Sequence, residues 1–567
     1  MIRPQRGPAQ PASIGASRRH ALVSRIVGSM GIAGLSCAAA FGQGVLTYHA
    51  DSSRTGWVSN ETVLTPQQVA SGRFGKLFTH DVDGAIYGQP LVVPGVRMAD
   101  GSVHDLVLAV TQHDGVWAFD ADDAAGTNAL PMWYISFLAE AASGVTVQPV
   151  PSGDVACEDI SPEIGITSTP VVDPATGTVY VEAKTKETSS AGVRYVQRLH
   201  ALDLSTGQEM PGSPVEIAAA APGTAPDADS QGLVHFDPLR NLQRPGLLLL
   251  GGAVYLGFGS HCDVQPYHGW LLAYDEASLA QVGALCITPD GSEGSLWNSG
   301  CAPAVDQAGN VFVVTSNGTF SLNTGGTDAS DSFLKIAGVA GGMKILDSFT
   351  PYDQDVLAEQ DLDLGSGGIM LLPDQPTGPP HLAIGGGKDG TLYVVNRDNL
   401  GGFQPTSNNV FQSLPAALAG LFSTPTLFGN TVFIGDSGYF GAPLRAFQLV
   451  AGQGLVPAAV PMTDHVFAYP GAGLAVSSAG SEGGVLWALE HTTPAILYAY
   501  DPADLSHVLY STDQATDGVD QPGTGVRFAV PTVWNGKVYV GTMERLAVYG
   551  LRTPVALRRK LTAQPPH

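Results

Sequence analysis

A short strand-like signature recurs eight times along this chain and limits its fold more than any other feature. Each copy alternates apolar and variable residues and often ends in Asp or Asn. The alternation fits a half-buried strand, and the terminal Asp or Asn fits a turn held by its own side chain. The copies are VWAFD at 116–120, LHALD at 199–203, LLAYD at 271–275, FLKIA at 333–337, LYVVN at 392–396, LRAFQ at 444–448, LYAYD at 497–501 and LAVYG at 546–550.

Further apolar strands surround each signature. One precedes it, as in VYVEA at 179–183, and an earlier one is supplied by segments such as STPVVD at 168–173. Another follows most copies, as in MWYISF at 132–137. Four antiparallel strands per repeat, arranged radially, form a β-propeller. The sequence therefore predicts an all-β fold, an eight-bladed β-propeller of four-stranded antiparallel blades, with seven blades plus an irregular element as the alternative.

The last repeat ends at Leu551 without a fourth strand of its own. The segment GKLFTHDV at 75–82 can supply this strand by pairing with residues 546–551, which would close the ring and leave no exposed sheet edge. We therefore expect the propeller to span 75–551. An N-terminal extension at 43–74 would precede it, and a mobile tail at 552–567 would follow.

The first 42 residues have the pattern of an export signal. Arg18, Arg19 and Arg25 precede an apolar stretch at 26–40, which ends in small residues suited to cleavage. The twin-arginine route and the ordinary secretory route both remain open, because the motif around Arg18 and Arg19 lacks the preferred Phe. No later segment reaches 18 apolar residues, so we expect a periplasmic or secreted protein that is not transmembrane.

Composition narrows the function classes. The chain has 70 Gly and 40 Pro among 567 residues, and only 14% of its residues are charged, which argues against a coiled coil or bulk disorder. Its 51 acidic and 27 basic residues give a net charge of −24. Binding nucleic acid requires a basic face, so we expect no nucleic-acid partner. We expect a monomer.

Four cysteines follow the export signal, and an exported protein can form disulfides. They are Cys157, Cys262, Cys286 and Cys301. Cys286 and Cys301 enclose a Gly-rich loop, which favours the pairings Cys286–Cys301 and Cys157–Cys262 over four buried thiols. No CxxCH motif occurs, so we expect no covalently bound haem c.

Two loops carry groups that could bind a cation. Glu158, Asp159 and Glu163 lie in a loop that leads into an inner strand and should face the central channel. His261, Cys262 and His268 also fall close together in the sequence, although a disulfide at Cys262 is the alternative to a metal site.

The signature and its trailing turn resemble the repeat of the quinoprotein dehydrogenases. AFDADDAAGTNALPMW at 118–133 and ALDLSTGQE at 201–209 are similar to the motif that ties neighbouring blades together in that family. The resemblance covers roughly residues 75–551, but only the first copy has a Trp, Trp133, near the expected position. Propellers with this repeat also include proteins that bind no quinone, so the repeat indicates a fold more strongly than a function.

The resemblance implies a set of site residues for pyrroloquinoline quinone (PQQ) and Ca²⁺. It implies Trp297 as the floor beneath the quinone, and Thr167 and Thr169 as further cofactor contacts. It implies Glu187 and Asn317 as calcium ligands, which suits the preference of Ca²⁺ for oxygen. Asp361 or Asp363 would be the catalytic carboxylate, and Lys388 the basic residue near the reactive carbonyl. The vicinal cysteine pair of those enzymes is missing here.

Two functions of different classes follow. The first is a quinoprotein that oxidises an alcohol or sugar with PQQ and Ca²⁺ and passes electrons to a separate acceptor. The second is a non-catalytic propeller that binds a protein or glycan or acts as an envelope scaffold. Convergence of the implied site residues on one face of the ring would distinguish the first from the second.

Overall fold

A computed structural model describes residues 44–553, apart from residues 124–125, 128 and 139–143. The export signal predicted at 1–42 lies outside the described residues, as does the tail predicted at 552–567 except for its first two residues.

Eight antiparallel sheets follow one another along the chain and form an eight-bladed β-propeller, which confirms the predicted fold class. Blade 1 consists of Leu91–Arg97, Val103–Val110, Gly115–Asp120 and Trp133–Ser136. Blade 2 consists of Val171–Asp173, Thr178–Ser189, Gly192–Asp203 and Val215–Glu216, with Thr146–Pro151 and Glu163–Ile164 added to it. Blade 3 consists of Asn241–Leu242, Leu248–Leu250, Ala253–Ser260, Trp270–Asp275 and Gln281–Cys286. Blade 4 consists of Ala304–Val305, Asn310–Val314, Phe333–Ala337 and Ile345–Phe349.

The second half of the ring is more regular. Blade 5 consists of Ile369–Leu371, Leu382–Gly386, Leu392–Asn396 and Gln412–Leu414. Blade 6 consists of Thr426–Phe428, Thr431–Ile434, Arg445–Val450 and Gly454–Pro457. Blade 7 consists of Ala472–Ala479, Glu482–Glu490, Ile496–Asp501 and Asp504–Ser511, with Trp57–Val58 added in parallel. Blade 8 consists of Thr532–Trp534, Lys537–Gly541, Arg545–Leu551 and Phe74–Asp81.

Elements outside the blades are short. Ala220–Pro222 and Leu233–His235 form a separate hairpin between blades 2 and 3. The described α-helices are Pro66–Val69, Ser152–Val155 and Gln354–Glu359. The described 3₁₀ helices are Asn298–Gly300, Leu322–Thr324, Val339–Gly341, Leu364–Gly367, Thr512–Gln514 and Thr516–Gly518. Among the described residues, no helix combines the length and apolar character needed to cross a membrane.

The core lies between blades. Tyr255 and Leu271 of blade 3 belong to the same buried cluster as Val313 of blade 4. Trp487 of blade 7 and Tyr549 of blade 8 are likewise fully buried in one cluster. Burying one large apolar side chain contributes about 1.5–3 kcal/mol, so the alternating signature strands bind each blade to its neighbours.

The N-terminal strand belongs to the last blade. Phe74–Asp81 pairs antiparallel with Arg545–Leu551, which is the pairing expected from the unfinished eighth repeat. The first and last strands of the propeller in the sequence are therefore neighbours in one sheet.

Residues 45–58, named here the inner segment, were expected to belong to an extension but make backbone hydrogen bonds with six blades. The partners in blades 1, 2, 4, 5, 6 and 7 are Val92, Val172, Val305, Leu371, Leu427 and Val476. Leaving aside the strands added to blades 2 and 7, each partner lies in the first strand of its blade in sequence. Since one short segment reaches all of them, these first strands form the inner ring, and the inner segment fills part of the central channel.

One of the two expected disulfides is present. Cys157 and Cys262 are bonded, with 5.7 Å between their Cα atoms. The expected Cys286–Cys301 bond is wrong, because both residues are free and buried. Cys286 packs in the core shared by blades 2 and 3, whereas Cys301 packs with Tyr48 of the inner segment. Their separation in sequence is short, but the two thiols lie in different buried clusters.

Candidate active site

A cavity of about 170 Å³ lies where the segments leading into the blades converge. Each segment contributes to its wall, and the eight contributors are Tyr87, Ile160, Arg244, Trp297, Asp363, Phe422, Tyr469 and Phe528, in order of blades 1 to 8. Because the first strands of the blades form the inner ring, this cavity, named here the central cavity, lies at the centre of the propeller.

Four of the residues predicted for the site form one polar cluster. The Nζ atom of Lys388 lies 2.6 Å from an Oδ of Asp361 and 2.8 Å from an Oδ of Asp363. The backbone N–H of Asn317 donates to Asp363 at 3.1 Å, and its side-chain Nδ2 donates to Asp361 at 2.9 Å. Asn317 follows a strand of blade 4, whereas the two aspartates precede the first strand of blade 5 and Lys388 follows its second strand. These residues therefore become neighbours only when the ring is folded.

A glycine permits this close approach. A Cβ at Gly387 would lie 2.5 Å from the carbonyl oxygen of Asp363, which is shorter than any normal contact. The next residue, Lys388, donates its backbone N–H to that same carbonyl at 3.1 Å. The run of glycines before Lys388 therefore places its side chain against the carboxylates.

Burial sets the electrostatics of the cluster. It raises the pKa of the buried Asp363 carboxyl, and the nearby Lys388 opposes that rise. Burial also works against the Lys388 ammonium, but Asp363 and Asp361 outweigh it and raise its pKa. Asp331 lies behind them, and burial followed by the charge of Asp363 raises its pKa to about 8. Lys388 and Asp363 thus form a charged pair in the wall of the central cavity.

Aromatic rings form much of the rest of the wall. Trp297, the predicted quinone floor, lies in the central cavity. Its ring centroid is 6.4 Å from that of Phe422 and 5.9 Å from that of Phe528. Tyr87 and Tyr469 line the same space. These flat apolar faces suit a planar aromatic ligand.

The remaining predicted site residues lie elsewhere. Glu187 is near the end of the blade 2 hairpin, where it pairs with Arg198 at 2.6 Å and Arg194 at 3.8 Å and lines a different cavity. Thr167 accepts a hydrogen bond from Gln112, and Thr169 accepts one from the backbone of Gln89. Neither threonine lines the central cavity. These three residues therefore do not join the cluster around Lys388.

The predicted calcium set does not assemble. Among the described residues, the buried Oδ1 of Asn317 has no hydrogen-bond partner, but Glu187 lies against Arg194 and Arg198 instead, and Lys388 already pairs with both Asp361 and Asp363. Within the described residues, one group of three potential metal ligands is close enough, namely Cys157, Asp159 and Cys262. The disulfide between the two cysteines removes their thiolates, so this group does not fit a metal either.

Several wall residues were missed by the sequence analysis. They are Tyr87, Arg244, Phe422, Tyr469, Arg527 and Phe528. Most lie just ahead of a blade's first strand, so the sequence position that could have identified them is the segment between consecutive repeats. The loop at 157–163 was expected to face the channel, and its Asp159 does line the cavity, as does His261.

Comparison with known proteins supports the fold. No protein-family model and no curated protein sequence matches this chain. Solved structures do: a quinohemoprotein alcohol dehydrogenase from Comamonas testosteroni is 13% identical, with a TM-score of 0.58, covering 92% of this chain and 82% of that one. One from Pseudomonas putida HK5 is 13% identical, with a TM-score of 0.57, covering 93% and 82%. A europium-containing methanol dehydrogenase is 12% identical, with a TM-score of 0.56, covering 90% and 98%. This chain therefore has the propeller fold of quinoprotein dehydrogenases, while its activity depends on its own site.

Proposed function

We propose that this protein is an exported quinone-dependent dehydrogenase that binds PQQ in the central cavity and oxidises an alcohol or a sugar. The observation that carries the proposal is the Lys388–Asp363 pair in an aromatic cavity at the propeller's centre. The residues present fit PQQ, because this planar tricarboxylate needs flat apolar walls and cations, and the wall offers Trp297 and Phe422 together with Lys388 and two arginines.

The residues have separable roles. Bound PQQ would accept the two electrons that are released when the substrate's C–H bond is broken. Trp297 would support the ring, and Lys388 would hold an oxygen at its edge by a charge-assisted hydrogen bond. Asp363 would take the proton from the substrate hydroxyl, because burial raises its pKa and so makes it a stronger base, while the nearby Lys388 opposes that rise.

Calcium has no assigned step in this proposal, since the predicted ligand set does not converge. Electrons would leave to a separate acceptor, because the sequence has no haem c attachment motif. We place the protein in the periplasm or outside the cell, on the basis of the export signal predicted at 1–42.

The test is titration of the purified protein with PQQ, with and without Ca²⁺, followed by absorption, tryptophan fluorescence and dye-linked oxidation of alcohols and sugars. Asp363→Asn should keep PQQ binding and lower turnover by about a hundredfold to ten-thousandfold. Trp297→Leu should weaken PQQ binding, whereas the matched change Trp117→Leu, outside the cavity wall, should not. Absence of PQQ uptake at any Ca²⁺ concentration contradicts the proposal.

A second candidate function is a non-catalytic propeller that binds a protein or glycan. Tyr439 and Phe440 favour it, since these adjacent aromatic side chains at a blade 6 turn are 92% and 97% exposed. Loss of pull-down of an envelope protein or glycan on changing both residues to Ser, in a protein that takes up no PQQ, would support this function instead.

A further inference from the structure

The charged groups that line the central cavity leave one cation without a partner. Asp363 pairs with Lys388 at 2.8 Å, and Asp159 pairs with Arg527 at 3.4 Å. Asp263 accepts hydrogen bonds from the hydroxyls of Ser260 and Tyr267. The remaining charged wall residue is Arg244, which has no carboxylate within 4.0 Å among the described residues.

Arg244 lies between two aromatic rings and has no carboxylate partner among the described residues. Its guanidinium carbon lies 5.0 Å from the ring centroid of Tyr87 and 5.0 Å from that of Phe528. The side chain is buried, and one of its N–H groups donates to the carbonyl of Arg527 at 3.5 Å. A guanidinium has five N–H donors, so most of them remain for a ligand. Burying an unpaired charge is costly, and a bound anion would offset that cost.

His261 follows a blade 3 strand and lines the same cavity as Arg244, where it provides a second donor. Lys184, which is buried, donates to the carbonyls of Leu239 and Asn241 and lies 2.8 Å from the Nε2 of His261. An ammonium surrounded by these three acceptors donates to Nε2, so the proton of the neutral imidazole lies on Nδ1. Burial and then the Lys184 charge lower the pKa of His261, which keeps the ring neutral.

We infer that Arg244 and His261 form a carboxylate-binding subsite in the wall of the central cavity. The guanidinium binds the two carboxylate oxygens between the rings of Tyr87 and Phe528, and the Nδ1–H of His261 donates to one of them. Lys184 is a positioning residue, because it fixes the tautomer of His261. The inference concerns the charge of the ligand and does not depend on the proposed oxidation: the carboxylate belongs either to the cofactor or to the substrate.

Calorimetric titration of the full chain at pH 6 tests the subsite with three probes: PQQ, its neutral trimethyl ester, and benzoate as a free carboxylate. Burial lowers the pKa of Lys184 to about 7, so its ammonium form predominates at pH 6. Arg244→Gln should weaken binding of a carboxylate probe by about tenfold to a hundredfold, since one charge-assisted contact is lost. Binding of the ester should not change. Arg240→Gln removes the same charge from blade 3 outside the cavity wall and serves as the matched control.

The probes distinguish a carboxylate of the cofactor from a carboxylate of the substrate. A loss confined to PQQ assigns the subsite to the cofactor, and a loss confined to benzoate assigns it to the substrate. If Arg244→Gln does not fold, Arg244→Lys should fold and still bind more weakly, because an ammonium cannot make the bidentate contact. In the wild-type protein, nitrogen-15 NMR of histidine should show Nε2 of His261 without a proton.

The titrations test the proposed function and the proposed subsite independently. Unchanged binding of PQQ by Arg244→Gln, together with no binding of benzoate by wild type, overturns the subsite and leaves the quinone proposal standing. Binding of benzoate that requires Arg244, without uptake of PQQ, overturns the quinone proposal and supports the subsite. A wild-type protein that binds neither carboxylate overturns both.

Discussion

Lys388 lies between two carboxylates, and its charge limits the effect of burial on Asp363. A carboxyl whose pKa is raised in the folded protein binds its proton more tightly there than in the unfolded chain. As the pH rises from the pKa of the unfolded chain, about 4, to the pKa of the folded protein, such a carboxyl makes the folded protein progressively less stable. Lys388 keeps that folded value lower than burial alone would allow.

Lys388→Met should therefore destabilise the protein more at pH 8 than at pH 5, because Asp363 is then a buried carboxylate without a cation. Calorimetric melting at the two pH values measures the difference. The double variant Lys388→Met, Asp363→Asn is the control and should recover most of the loss at pH 8. A loss of equal size at both pH values contradicts this account.

At the level of single residues, position near the central cavity was predictable from the sequence where a residue lies close to the end of an inner-ring strand. Asn317, Asp361, Asp363, Lys388 and Trp297 come together around or beside one cavity, as their order along the chain implied. Glu187 was assigned to the same site but lies far along a hairpin of twelve-residue strands, and the sequence did not reveal how far that hairpin extends from the axis. Arg244 was missed because its role depends on which neighbouring charges remain unpaired, and only a complete set of contacts shows that.

Among the elements, the inner segment depends on one buried side chain. Arg54 is fully buried and donates twice to the carbonyl of Pro303 in the segment leading into blade 4. It also donates to the carbonyls of Tyr48 and Asp51 and to the hydroxyl of Thr47, so it holds the curve of its own segment.

Arg54→Met should lower the free energy of unfolding by about 3 kcal/mol or more, since it leaves several buried carbonyls without a donor. Chemical denaturation measures the loss. Arg73→Met, at an exposed position outside the inner segment, is the matched control and should change stability little. An Arg54 variant as stable as the control would show that the inner segment is held by its backbone alone.

The disulfide joins two elements of the cavity wall, the loop after Ser152–Val155 and the end of Ala253–Ser260. It spans 105 residues, and a loop of that length corresponds to about 4–5 kcal/mol in the chain-entropy treatment. Cys157→Ala, Cys262→Ala should therefore melt at a markedly lower temperature than wild type.

Peptide mapping without reduction checks the connectivity. We expect linked peptides containing Cys157 and Cys262, and free thiols at Cys286 and Cys301 that react with alkylating agents only after denaturation, because both are buried. A wild-type protein in which all four cysteines alkylate would contradict the assignment.

Strands were the best predicted elements, because alternation and turn residues are local signals. Disulfide pairing was half predictable. Cys157 and Cys262 are distant in sequence but meet in the ring. Cys286 and Cys301 are close in sequence, but Cys286 lies in the core shared by blades 2 and 3 and Cys301 packs against the inner segment. The inner segment was not predicted, since its bonding partners are backbone groups that leave no pattern in its side chains.

For the whole molecule, the number of repeats predicted the number of blades, and the missing fourth strand of the eighth repeat indicated where the segment at 75–82 belongs. Deleting residues 1–85 removes Phe74–Asp81 from blade 8 and the inner segment from six blades. The truncated chain should therefore lose cooperative stability throughout the ring instead of losing a peripheral part.

A chain lacking only residues 1–42 is the control for this deletion and should melt like the full-length protein, because these residues are the predicted export signal, which is removed from a mature protein. Thermal unfolding followed by circular dichroism at 215–220 nm compares the two. A chain lacking 1–85 that melts at the control's temperature would show that neither pairing matters to the ring.

The position of the inner segment in the sequence also affects when its bonds to the blades can form during synthesis. Its residues leave the ribosome before the strands of blades 1 to 8, yet its last blade partner, Val476, is made only with the first strand of blade 7. The bonds to blades 1, 2, 4, 5 and 6 can form as each blade is made, but until blade 7 is made the carbonyl of Gly56 and the strand Trp57–Val58 have no partner. A chain cut short before blade 7 leaves this end of the inner segment unpaired, so truncated products carry an exposed strand by which chaperones and proteases can tell them from finished molecules.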